Sequence, residues 1–185
     1  MKEPVTVLTD FVLAGISCAL GFLLLKRSKL WALAFLATGL AALLGGIWHG
    51  FWHGDALWKA TTLSAGVASF GMVAGSAFQT TSGLAPRILV AAAILKLLIY
   101  SGWMLYHDDF IWVVADTGSA LLVVAILHLW RFNGWMLAGV AVSVLAGLAQ
   151  ASGIALHAHF NHNDLYHVIQ SAAMFLLYRG VMRYA

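Results

Sequence analysis

The chain has 185 residues, 62% of them hydrophobic and only 9% charged, with a mean hydropathy of +0.90. Soluble domains are roughly half apolar and about a quarter charged, so this composition excludes a soluble enzyme, a disordered regulator and a nucleic-acid module. The net charge of +3 comes from ten basic residues scattered along the chain and makes no basic patch, and a single cysteine, Cys18, excludes a disulfide-stapled fold.

A bilayer core of roughly 30 Å takes about 20 apolar residues in a helix. On that measure the sequence predicts seven spans, over residues 5–25, 30–50, 57–79, 86–106, 110–130, 135–157 and 165–182. The connections between them are too short for a soluble unit. The apolar runs are continuous and do not alternate, which argues against a β-barrel. The expected fold is all-α: an integral membrane bundle of seven transmembrane helices forming a single domain over residues 1–185, in the inner or plasma membrane if the source is bacterial.

The first span is followed by Lys26, Arg27 and Lys29. A cleavable signal carries its positive charges in front, so these read as a cytoplasmic stop. With the N-terminus outside, Arg87, Arg131, Arg179 and Arg183 also fall inside, leaving only Lys2 and Lys59 outside. This positive-inside bias predicts an external N-terminus and a cytoplasmic C-terminus. Trp48, Trp52, Trp58, Trp103, Tyr106 and Trp112 would mark the outer interface, with Trp130, Trp135, Tyr178 and Tyr184 at the inner one. In the third span Gly71 and Gly75 form a small-residue repeat that predicts close helix packing.

The same topology gathers the polar residues. His49, His53, His107, His157, His159, His162 and His167 all fall on the outer side, as do Glu3, Asp10, Asp55, Asp108, Asp109, Asp116 and Asp164; only His128 lies near the inner end. His49 and His53 are four apart, which puts both on one helix face and within reach of one metal ion. His167, with Gln170, Ser171 and Met174 below it, predicts a pocket wall that is polar near the surface and apolar deeper. Polar groups at membrane depth usually face a cavity or a partner. His49, His53, His162 and His167 are therefore the expected metal ligands, with Asp55 and Asp164 as carboxylates that orient them or take a proton from bound water. His107 and His128 read as interfacial residues. Lys96 reads as a snorkelling lysine, and Asp116 is expected to pair with the histidine cluster or with Lys59. Thr61, Thr62 and Ser64 are expected to satisfy helix carbonyls, with lining the pocket as their other reading.

The pattern resembles the CREST superfamily of alkaline ceramidases, progestin and adiponectin receptors and Per1-like proteins. The resemblance rests on the segment from Asn163 through His167 to Gln170 and on the region from His49 to Lys59. It implies a seven-helix fold, a zinc held by three histidines, and hydrolysis of lipid amides. The match departs at three points. Asn163 stands where the family has the first of two histidines, Gly45 stands where it has a serine, and Ala60, Thr61 and Thr62 stand where it has an acid. Three functions follow as expectations: a zinc-dependent hydrolase of lipid amides or esters, a non-catalytic metal-binding or receptor-like subunit, and a b-type haem protein with His49 facing His167. The expected partners are membrane lipid and either other membrane subunits or further copies of the chain.

Overall fold

The computed structural model describes residues 3–157 and 159–184, so the expectation for Lys2 lies outside the described residues. Seven helices run in order: α1 (Pro4–Leu24), α2 (Lys29–Gly50), α3 (Asp55–Thr80), α4 (Ala85–Met104), α5 (Ile111–Leu129), α6 (Gly134–Ser152) and α7 (His162–Met182). The first six are long and apolar enough to cross a membrane. The seventh is predicted as a span but is too polar to qualify by composition, because its first half carries His162, Asn163, Asp164, His167, Gln170 and Ser171.

Helix packing explains how so polar a helix is accommodated. α1 packs on α2, α2 on α3, α3 on α5, α5 on α6, α6 on α7, and α7 returns to α1. Six helices thus close a ring, and α4 lies outside it against α3. α4 accordingly turns Leu95, Leu98 and Ile99 outward, as a lipid-facing helix should.

Glycine sets the closest approach in the ring. A Cβ on Gly71 would sit 2.8 Å from the Leu30 carbonyl oxygen and the Ala34 amide nitrogen, and one on Gly75 would sit 2.5 Å from the Trp31 ring. The predicted small-residue contact is therefore the α2–α3 seam. Trp31 is fully buried there, and its ring nitrogen donates to Gln79 Oε1 at 3.0 Å. Around it Phe35, Val124, Met136, Leu177 and Val181 fill the half of the bundle that contains the ends of α1, α3, α5 and α7.

Two boundaries move relative to the sequence reading. The sixth span stops at Ser152 because Gly153 takes the left-handed conformation (φ 67°), a terminator glycine adopts without steric cost. His157 and His159 therefore sit on an exposed loop and not on a helix. The seventh helix begins three residues before the predicted start, since Asn161 and Asp164 form a reciprocal cap at its first turn.

Candidate functional site

The ring encloses a cavity of about 490 Å³, walled by every helix except α4. Much of its wall is small or apolar: Ala34, Ala42, Ala65, Ala68 and Met72 on one side, Val113, Leu121 and Val144 on the other. Polar groups gather toward the end where α1, α3, α5 and α7 begin. Asp10, His49, Asn163 and His167 line the cavity there, and Thr61 and Thr62 line it from α3.

His167 is the most constrained of these. It is 8% exposed, its Nε2 lies 3.0 Å from Asp10 Oδ1, and its Nδ1 lies 3.1 Å from Thr9 Oγ1. Thr9 in turn donates to the Thr6 carbonyl at 3.0 Å and reaches Asp164 Oδ1 at 3.4 Å. Both ring nitrogens are thus engaged by α1. Asp10 is 2% exposed, and its second oxygen, Oδ2, is buried without a partner among the described residues. His49 is held differently. Its Nδ1 faces Glu3 Oε2 at 2.9 Å, which leaves Nε2 without a protein partner among the described residues. A carboxylate behind one ring nitrogen fixes the tautomer and leaves the other nitrogen basic.

The structure brings together only part of the predicted site. His49 and His167 meet on one cavity wall. His53 does not join them: α2 ends at Gly50, so the four-residue helical spacing is lost, and His53 is exposed with its ring packed on Trp48 at 4.9 Å. Asp55 is exposed at the first turn of α3, and His162 opens α7 off the cavity wall. Asp164 is 1% exposed and serves the helix start: its Oδ2 accepts the Asn161 amide at 2.7 Å. Its carboxylate is committed to the cap and to Thr9, and so does not face the cavity as a base.

Among the described residues, no group of three or more His, Cys, Asp or Glu side chains is arranged to hold a metal ion. The donor chemistry agrees. A ligating histidine must present a ring nitrogen to the metal, and His167 has both of its nitrogens occupied by Asp10 and Thr9. The residues present do not fit a preassembled zinc centre.

The remaining polar residues find partners that the sequence reading did not give them. Lys96 pairs with Asp116, whose side chain is 5% exposed, and also donates to the Asp116 carbonyl at 2.9 Å and to Ser69 Oγ at 3.5 Å. Lys96 is therefore not snorkelling. Lys59 instead meets Asp108 and donates to the carbonyls of Met104 and His107 at 2.7 and 2.9 Å, capping the end of α4. His128 is fully buried, and its Nε2 meets Ser76 Oγ on α3 at 3.2 Å. His107 stacks on Trp103 with ring centroids 3.8 Å apart. Thr61, Thr62 and Ser64 donate to carbonyls within α3, and the two threonines also line the cavity, so both readings of them hold.

The residues that sequence reasoning passed over are Glu3, Thr9 and Asp10. A signal was present for Asp10, since an ionisable residue inside an apolar span marks a functional position by default. It stands a third of the way along α1 among Leu8, Phe11 and Val12.

Fold and site together define a multi-pass integral membrane protein with an interhelical cavity that is apolar along its length and acid–imidazole lined at one end. The chain belongs to the family of unknown function DUF6962, whose profile matches residues 5–185, and CREST membership is not confirmed by it. No curated protein and no solved structure matches the chain.

Proposed function

We propose that this protein takes an amphiphilic membrane lipid into the interhelical cavity and hydrolyses an amide or ester bond at the polar end. The observation that carries the reading is a single one: the Glu3-backed His49 and the Asp10–His167 pair line the same cavity as the apolar walls. A cavity of about 490 Å³ falls within the range of small-molecule sites, roughly 300–1,000 Å³. An alkyl chain placed along Ala65, Ala68 and Val113 would leave its polar linkage beside His49.

The roles follow from the hydrogen-bonding inventory. With Glu3 Oε2 2.9 Å from its Nδ1, His49 takes a proton at Nε2 from the water that attacks the carbonyl, Glu3 offsets the charge of the imidazolium, and the imidazolium returns the proton to the departing amine or alcohol as the acyl bond breaks. Asp10, His167 and Thr9 form the fixed part of the site. The side-chain oxygen of Asn163 accepts from Gln150 Nε2 at 2.6 Å, and its amide nitrogen is offered to a developing oxyanion. The resemblance to the CREST superfamily supports the same substrate class, lipid amides, on the segment from Asn163 to Gln170. It does not supply the zinc ligands, for the reasons given above.

One specific observation favours a second reading, a non-catalytic lipid-binding subunit: the carboxylate of Asp164 and both nitrogens of His167 are consumed by structural contacts. Turnover separates the two. Purified protein in neutral detergent is assayed against acyl amides and acyl esters, with zinc content measured on the same sample. Hydrolysis that is lost in His49→Gln while lipid binding persists supports the enzyme. Binding without turnover supports the subunit. Turnover that tracks bound zinc and is indifferent to His49→Gln overturns the proposed base.

A further inference from the structure

Resting on the reading of the cavity as a lipid site, we propose that its polar end selects a head group bearing a cationic nitrogen, protonated or alkylated. Two independent features of the wall point there.

The first is charge. Among the described residues, no lysine or arginine lines the cavity, and Asp10 is the one Asp or Glu in its wall. Glu3 stands directly behind His49, and Asp164 reaches Thr9, which holds His167. Three carboxylates therefore oppose two imidazoles. Among the described residues, Lys59 is turned away into Asp108 and the end of α4. Asp10 adds the local demand. Its Oδ2 is buried at a residue only 2% exposed and has no hydrogen-bond partner among the described residues. A carboxylate oxygen in that state is stabilised by a cation brought alongside it.

The second is aromatic. Trp58 and Phe110 both line the cavity, with ring centroids 6.1 Å apart and planes inclined at 43°. Trp48 backs Trp58 at 4.9 Å. Trp58 is anchored by its ring nitrogen, which donates to the Asp108 carbonyl at 2.9 Å, so the orientation of the ring is fixed. Two tilted aromatic faces in the same cavity wall as the Asp10 carboxyl form a seat for an ammonium group, which is attracted to the ring quadrupole within about 6 Å of a centroid. An anionic head group would meet the Asp10 carboxyl with repulsion, and a neutral one would gain no attraction to the Trp58 and Phe110 ring faces.

The test is displacement of a neutral fluorescent fatty amide from the purified protein in maltoside micelles. The competitors are an alkyl trimethylammonium, an alkyl ammonium, an alkyl sulfate and an alkyl alcohol of equal chain length. The expected result is displacement by the ammonium compounds at about tenfold lower concentration than the alcohol, as a desolvated cation–π contact provides, with the sulfate weakest. The two ammonium arms distinguish a protonated amine from a quaternary one. Asp10→Asn and, separately, Trp58→Leu should each bring the ammonium-to-alcohol ratio close to one. Equal displacement by ammonium and alcohol in the wild-type protein, or stronger displacement by sulfate, overturns the proposal and leaves the lipid cavity intact. A probe that does not bind at all overturns the lipid reading and this proposal with it.

Discussion

Replacing Lys96 should damage the bundle far more than neutralising its partner. Lys96 is the sole cation beside Asp116 among the described contacts, and it donates to the carboxylate, to the Asp116 carbonyl and to Ser69. Lys96→Met leaves a carboxylate whose side chain is 5% exposed and whose Oδ2 already lacks a partner. Stranding one member of a buried pair costs about 3–5 kcal/mol, of which protonation of the acid recovers part. Asp116→Asn is milder. The amide oxygen still accepts from Lys96, and the ammonium, with its side chain 32% exposed, keeps the carbonyl and Ser69, so about 1–3 kcal/mol is expected. Replacing both residues with apolar side chains, Lys96→Met with Asp116→Leu, should restore most of the loss, since a well-packed apolar pair is often no worse than a buried ion pair. Equilibrium unfolding in mixed micelles reads all three variants. A Lys96→Met variant as stable as the wild type, or a double variant worse than either single one, would refute the inference that this pair ties α4 and α5 together.

Gly71→Ala should lower stability by about 1–3 kcal/mol, because its Cβ meets Leu30 and Ala34 backbone that cannot yield, whereas Gly15→Ala, with nothing within 4 Å, should be neutral or better by thermal melting. Asp164→Ala should cost about 1–2 kcal/mol by loss of the α7 cap, and residual turnover should scale with the folded fraction and not vanish, as it would for a general base. Ala68→Trp, a large residue set on a cavity wall, should abolish lipid uptake in a fluorescent-lipid assay while leaving the helix content seen by circular dichroism unchanged.

The architecture was readable from composition because the physics that imposes it is one-dimensional. An apolar run of sufficient length has few alternatives in a bilayer, and six of the seven predicted spans appear as qualifying helices with ends displaced by a few residues. The displaced ends matter most for the site. The spacing of His49 and His53 carries meaning only if the helix continues through both, and α2 stops between them at Gly50. Asn161 and Asp164 form a capping pattern written in the sequence, yet a cluster rich in histidines and acids invites a ligand reading of the same residues. Pairings across helices were harder. Lys96 and Asp116 stand symmetrically about Tyr106 in the turn joining two antiparallel helices, which places them at one depth, so that pair was open to inference. The approach of α1 to α7 was not. Thr9 and Asp10 meet His167 across more than 150 residues of sequence, and nothing local records it.

The central claim is that the ring of six helices holds a lipid with its polar group at the His49 end, and photolabelling tests it most directly. An acyl amide carrying a photoreactive group at its chain terminus is cross-linked to the purified protein, and the labelled peptides are identified by mass spectrometry. The account predicts labels on cavity-wall residues of α3, α5 and α6 such as Ala68, Leu121 and Val144, and their loss in Ala68→Trp. Labels confined to outward-facing positions such as Leu95 and Leu98 of α4, unchanged by Ala68→Trp, would contradict it.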